Sequence, residues 1–210
     1  RAATASAWSW AAMSSREAPH LRLTLASRLV YRYRNAMPLS ADDIRRAFVA
    51  LSEELERRNA RAELVVVGGA ALVLLFRARE STKDVDAYFV VSDASLLRQA
   101  AGAVADRLDL PIDWLNDGAK GYLVGVTTGE NLYNSPTLKV HAASIAQLLA
   151  MKLAAWRDAV DRSDAKLLLE RMDGGANDVW SAVKSFVPPH QLDKASYAFE
   201  DLWEMLHGHS

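Results

Sequence analysis

Cysteine is absent from this 210-residue sequence, so disulfides, thiolate metal sites and cysteine nucleophiles are all excluded. That absence fits a cytosolic protein, and cytoplasmic is the location expected here. No long hydrophobic run occurs either. The longest apolar stretch, around 64–76, is interrupted by Gly68-Gly69 and is too short to span a bilayer, so no membrane partner is expected. Charge of one sign is not in excess: a formal net charge of −1 argues against a generally basic, nucleic-acid-coating surface. It leaves room for a local basic groove. Gly-x-Ser-x-Gly, His-Glu-x-x-His and RNA-binding aromatic motifs are missing as well. A Walker-type phosphate loop would need Gly-Lys-Ser/Thr where Ala70-Ala71 stands, and a dinucleotide fingerprint would need a third glycine.

What is present is organised in three parts. Residues 1–36 hold six Arg and a single acidic residue, Glu17, in an Ala- and Ser-rich setting. That composition resembles a targeting segment or an upstream extension, and a poorly ordered extension is expected, with Met37 as a natural start. Residues 37–141 read as an α/β core. Ser40 caps a helix carrying Ile44, Phe48, Leu51 and Leu55 on one face, followed by a short strand at 64–67. After Gly68-Gly69 come an apolar helix at 70–76 and a strand at 85–91. Asp93 then caps a helix over 94–108. Short strands are expected at 111–115, 122–126 and 138–141, the first two around a turn at Asn116-Asp117-Gly118. Residues 142–210 read as a helical C-terminal subdomain, with helices at 145–160, 164–172, 179–186 and 192–206. Strands and helices followed by helices alone predict an α+β fold with a mixed sheet and flanking helices.

The chemistry concentrates between residues 65 and 89. Val65-Val66-Val67 runs into Gly68-Gly69, and Thr82-Lys83-Asp84-Val85-Asp86 opens the next strand. Alternate side chains of a strand share a face, so Asp84 and Asp86 point the same way, roughly 6–7 Å apart at their Cα atoms. Two such carboxylates can hold a pair of divalent ions, Mg²⁺ or Mn²⁺, about 4 Å apart. Those hard cations take oxygen ligands and fill the remaining positions with water and phosphate. Gly68 and Gly69, at a strand-to-helix turn, let backbone N–H groups approach phosphate with no Cβ in the way. Thr82 and Lys83 are placed to contact phosphate or ribose. An isolated Asp-x-Asp or Gly-Gly would mean only a solvated strand edge and a turn; their order and distance make the signal.

Residues 145–156 form a twelve-residue stretch with one charge, Lys152, which must reach water, find a carboxylate or face a polar cleft. Arg157 and Asp161 stand at the spacing of a surface helix pair. Trp156, Trp180 and Trp203 read as core residues, and His141 as a structural histidine. His207 and His209 fall in a terminal tail where a weak metal site competes with disorder.

Four segments resemble the DNA polymerase β-type minimal nucleotidyltransferases, in particular the bacterial branch near the AbiEii/MenT toxins. They are Gly68-Gly69-Ala70-Ala71-Leu72, then Arg79-Glu80-Ser81-Thr82-Lys83-Asp84-Val85-Asp86, and later Trp114-Leu115-Asn116-Asp117 with Leu148-Leu149-Ala150-Met151-Lys152-Leu153-Ala154. The resemblance implies a Mg²⁺-dependent enzyme that moves a nucleoside monophosphate from an NTP to an acceptor hydroxyl. The acceptor would be a tRNA 3′ end or a protein, in a toxin with a cognate antitoxin. It further implies a third carboxylate beside Asp84 and Asp86, for which Asp113 is the first candidate and Asp117 the rival. Lys152 would contact the nucleotide's phosphates; Arg157, Asp161 and Asp164 resemble the branch's basic-then-acidic helical motif, in which Asp164 would orient Lys152 or the site. The competing expectation is a catalytically weak or inactive nucleotide-binding or interaction protein on the same fold.

Overall fold

The computed structural model describes residues 38–90, 93–122 and 124–208. The expectations for residues 1–36, Met37 and His209 lie outside them. Helix α1, Ala41–Arg57, starts on a reciprocal cap. The Asp43 amide donates to Ser40 Oγ at 3.2 Å while the Ser40 amide donates to Asp43 Oδ2 at 3.0 Å. Its apolar face, Ile44, Phe48, Leu51 and Leu55, is fully buried. Glu54 on that face is buried too, neutralised by Arg57 and by Arg58 Nε at 2.7 Å.

The central sheet has the order β5-β4-β2-β7-β6, built from β2 (Ala62–Val66), β4 (Val85–Val90), β5 (Leu115–Asn116), β6 (Asn131–Asn134) and β7 (Leu138–Ala142). It is mixed: β2 runs antiparallel to β4 and parallel to β7, β4 parallel to β5, and β6 antiparallel to β7. Leu64, Val65 and Val66 are all buried, as befits a strand covered on both faces. A separate two-residue ladder joins β1 (Leu39–Ser40) to β3 (Ser81–Thr82), with Leu39 opposite Thr82. Helices α2 (Gly68–Phe76) and α3 (Ala94–Leu108) follow β2 and β4, and Asp93 caps α3 through the amides of Ser95 and Leu96. The remaining helices are α4 (Ile145–Ala155), α5 (Ala159–Leu169), α6 (Ala176–Lys184) and α7 (Leu192–His207). They join the sheet in one hydrophobic core through buried Leu148, Leu149, Leu168, Val183 and Phe199.

The fold class agrees with the α+β expectation, and several local expectations need correction. Residues 112–114 form a turn, not a strand; only Leu115–Asn116 pairs. At 122–126 no strand forms among the described residues, and Gly118–Tyr122 is a 3-10 turn instead. The expected helix at 145–160 breaks at Trp156, whose φ of 39° is left-handed, so α5 begins afresh on an Asp158 cap. Strand β6 went unforeseen because Asn131-Leu132-Tyr133-Asn134 lacks apolar alternation. Trp156, Trp180 and Trp203 pack against the core but are only partly buried. His207 is held at the end of α7, stacked on Trp203 at 4.1 Å between ring centroids, and is not part of a disordered tail.

Candidate active site

Strand β4 and the residues just before it deliver the carboxylates. Val85 and Ala87 point into the core, and Asp84 and Asp86 alternate with them to the other face, both half-buried. Burial pushes the Asp84 carboxyl above the ordinary carboxylate range, and the nearby Asp113 charge adds to it; Lys83 and a hydrogen bond from Asn116 pull the other way. Burial likewise raises Asp86, reinforced by the charge of Asp84 and opposed by Asn116 and Lys83. Among the described residues neither carboxylate has an ion-pair partner within 4.0 Å. Asp113 raises Asp84, Asp84 raises Asp86, and with no ion pair fixing either carboxylate the two are open to a cation.

Opposite them stands the Gly68-Gly69 turn. The Val67 amide donates to the Asp86 carbonyl at 2.9 Å, tying the end of β2 to β4. Gly68 adopts φ +63°, a conformation most side chains resist, and a Cβ there would lie 3.6 Å from Asp86 Oδ2. At Gly69 a Cβ would meet Thr82 Oγ1 at 2.8 Å, closer than real contacts allow. Helix α2 therefore begins directly against the carboxylates, with no side-chain cap and no acid in its first turn. Its first amides keep their donors for a ligand, and the positive end of its dipole faces the site.

The strand beside β4 contributes an amide. The β4–β5 register sets Asn116 opposite Asp86, and its side chain lies near both Asp84 and Asp86 and draws both carboxyls down. Its Oδ1 accepts from the Gly118 amide at 2.8 Å, which fixes the side chain's orientation. Asp113 sits in the turn ahead of β5, close enough to raise Asp84. Asp117 points elsewhere and pairs with Arg98 at 2.7 Å. Of the two sequence candidates, the structure brings only Asp113 toward the pair. Thr82 packs under Gly69 and donates to the Asp84 carbonyl at 3.3 Å, and Lys83 is exposed beside the carboxylates.

The opposite wall comes from α4 and α5. Lys152 is almost wholly buried and donates to Asp161 Oδ1 at 3.0 Å, with Asp164 Oδ2 at 2.7 Å. Arg157 donates to Asp161 from Nε at 2.8 Å and from its backbone amide at 3.1 Å, and Arg79 pairs with Asp164. Burial would raise the Asp161 carboxyl, but its bonds from Arg157 and Lys152 win and hold it well below the usual range. Three cations thus share two buried acids. Lys152 meets two of the alternatives open to it at once, since it has found carboxylates and also lines the cleft.

A cavity of about 520 Å³ joins these walls, bounded by Gly68, Gly69 and Asp86 on one side and Lys152, Arg157 and Asp161 on the other. The volume suits a ligand of nucleotide size. Carboxylate oxygens fit Mg²⁺, which takes one or two carboxylates and leaves other positions to water and phosphate. Among the described residues no group of three His, Cys, Asp or Glu side chains gathers as a metal cluster, so Asp84 and Asp86 would share the ion with the ligand's own oxygens. Asn116 and Arg79 were given no role at the site from the sequence. Asn116 announces itself only through the strand register, and Arg79 only through a contact 85 residues away along the chain.

Residues 45–166, more than half of the chain, match the family described as a nucleotidyltransferase of unknown function (DUF6036). The chain belongs to that family. The match spans most of α1, the whole five-stranded sheet, the Gly68-Gly69 turn, Asp84 and Asp86, and Lys152 through Asp164. Membership in DUF6036 gives the general kind of activity, nucleotidyl transfer. No match is found among curated proteins or among solved structures. No helix among the described residues is long and apolar enough to cross a membrane.

Proposed function

We propose that this DUF6036 member transfers a nucleoside monophosphate from an NTP to an acceptor hydroxyl and releases pyrophosphate. The observation that carries the reading is the pair Asp84/Asp86: half-buried, without a counter-ion among the described residues, and facing an uncapped helix start at Gly68-Gly69. Asp84 and Asp86 would hold Mg²⁺ or Mn²⁺, with Asp113 assisting. When bound, the metal neutralises triphosphate charge and lowers the pKa of the attacking hydroxyl. The amides of Gly68 and Gly69 and the ammonium of Lys152 orient the phosphates. Thr82 and Lys83 bind at the same end, while Asp161 and Asp164 hold Lys152 at the edge of the cleft. Asn116 holds the two carboxylates in one orientation.

The resemblance to AbiEii/MenT-like toxins supports a tRNA 3′ end or a protein hydroxyl as the acceptor, a cognate antitoxin as partner and the cytoplasm as the place of action. In this reading residues 37–141 form the catalytic core and 142–210 a helical subdomain that closes it. A second reading, nucleotide binding with weak or no transfer, is favoured by one observation: the position opposite Asp86 holds the amide Asn116 and not an acid. Labelled NTP with Mg²⁺ and total RNA or protein tests both. The wild type should label an acceptor, and Asp84→Ala with Asp86→Ala should abolish labelling while the circular dichroism spectrum is kept. Equal labelling by the double variant would overturn the catalytic reading, and binding without labelling by the wild type would favour the second.

A further inference from the structure

The cavity has a fourth wall that the family match does not cover. Gln191 and Lys194, at the start of α7, line it together with Met151, Ala154 and Ala155 of α4, and both lie beyond residue 166. Lys194 Nζ donates to the Ala155 carbonyl at 2.6 Å, clipping the first turn of α7 to the last turn of α4. An ammonium there also suits the negative end of the α4 dipole. Gln191 differs from every charged group on the opposite side. Its backbone amide donates to Pro188, but its half-buried carboxamide has no partner among the described residues. The same cavity is lined by Gly68, Gly69, Asp86 and Lys152. Beside Gln191 its lining also holds the small apolar side chains of Ala154 and Ala155, the thioether of Met151 and the ammonium of Lys194.

We infer that the α7 end of the cavity is the nucleobase subsite, with Gln191 as the residue that selects among bases. This rests on the proposed reading of the site as one for NTP. A base is a flat apolar face with a polar edge. Met151, Ala154 and Ala155 offer the surface for the face, and Gln191 offers both a donor and an acceptor to the edge. Lys194 acts as a positioning residue by fixing where α7 starts. A site built to pair a polar edge rejects a ligand that cannot complete the pair, because its own polar group is then left unsatisfied.

The test is equilibrium binding of ATP, GTP, CTP and UTP, and of inorganic tripolyphosphate, to the full chain and to Gln191→Ala and Gln191→Glu. The wild type should prefer one NTP by about tenfold, in line with one good edge contact. Gln191→Ala should compress that preference at least threefold and leave tripolyphosphate affinity within twofold. Gln191→Glu, which can only accept, should shift the CTP/UTP ratio toward CTP, whose exocyclic amine donates where UTP has a carbonyl. Unchanged ratios in both variants would overturn the assignment, as would an equal loss for all four NTPs and tripolyphosphate. A wild type that binds neither NTP nor tripolyphosphate would overturn the NTP reading itself. Binding of tripolyphosphate with no preference among NTPs would leave that reading standing and sink only the base subsite.

Discussion

At the scale of single residues, Asp86 embodies a conflict between stability and chemistry. Burial and the Asp84 charge raise its folded-state pKa above the unfolded value, so the ionised carboxylate opposes folding. The sign follows from proton linkage: a raised acid gives no penalty below the unfolded pKa, and the penalty grows as pH rises through the folded one. Asp86→Asn should therefore raise the metal-free melting temperature at pH 7, by roughly 2–4 °C for about 1 kcal/mol. The gain should vanish when the scan is repeated near pH 3. The same variant should lose at least about a hundredfold in transfer rate, several kcal/mol of transition-state stabilisation. A melting temperature that falls at neutral pH would sink this account of the site's electrostatics.

Gly69 makes a second residue-scale case. A methyl group there would meet Thr82 Oγ1 at 2.8 Å, so Gly69→Ala should destabilise by about 1–2 kcal/mol. Thr82→Ala in the same chain should recover most of that loss, because it removes the clashing oxygen. Chemical denaturation of the two single variants and the double variant measures the coupling. The glycine pair was legible in the sequence as a turn that admits phosphate. Its need to be glycine for the sake of Thr82 was not, since that depends on how β3 is laid beside α2.

At the scale of elements, the α4–α5 corner carries the largest local electrostatic stake. The break at Trp156 swings α5 back so that Asp161 and Asp164 meet Lys152. Lys152→Met should cost about 1–3 kcal/mol, because each buried carboxylate loses a charged hydrogen bond while Arg157 still pairs with Asp161 and Arg79 with Asp164. Adding Asp161→Asn should restore part of the loss. Asp161 has a folded pKa held below its unfolded value, so its stabilisation is present above about pH 4 and is lost as pH falls from there. Acid unfolding followed by circular dichroism should therefore begin at higher pH in the wild type than the cooperative loss seen for Asp161→Asn relative to its own neutral baseline. Identical acid profiles would remove Asp161 from the explanation. The lone charge of Lys152 was visible in the sequence because it interrupts an apolar stretch. The helix break was not, because nothing in Ala155-Trp156-Arg157 is a helix breaker by propensity and the left-handed turn is imposed by packing.

At the scale of the whole molecule, the family match ends inside α5 while the core continues. Val179, Val183, Ala195, Ala198, Phe199 and Leu202 are buried against the helices before them. A chain ending at residue 170 should therefore lose cooperative unfolding and expose apolar surface to a hydrophobic dye, although every matched catalytic candidate is retained. A sharp, reversible melt in that truncation would show the last helices to be dispensable for folding. The sheet's long elements were readable from apolar periodicity, and Asp93 capped α3 where the sequence placed it. Strands of two residues were not readable, since β1, β3 and β5 are made by pairing partners far along the chain. The same holds for the site: Asp84 and Asp86 announce themselves by spacing, whereas Asn116 reaches them only through the strand register.

The small ladder of Leu39–Ser40 with Ser81–Thr82 gives the molecule a mechanical character. Its two residue pairs stand between the backbone ahead of Leu39 and the segment that leads straight into Lys83 and Asp84. Tension applied from that side loads this ladder before it loads the five-stranded sheet, so the carboxylates would be displaced while the core still holds. Pulled by that end, the protein would lose its grip on a ligand at a lower force than it loses its fold, and single-molecule extension with and without NTP would separate the two events.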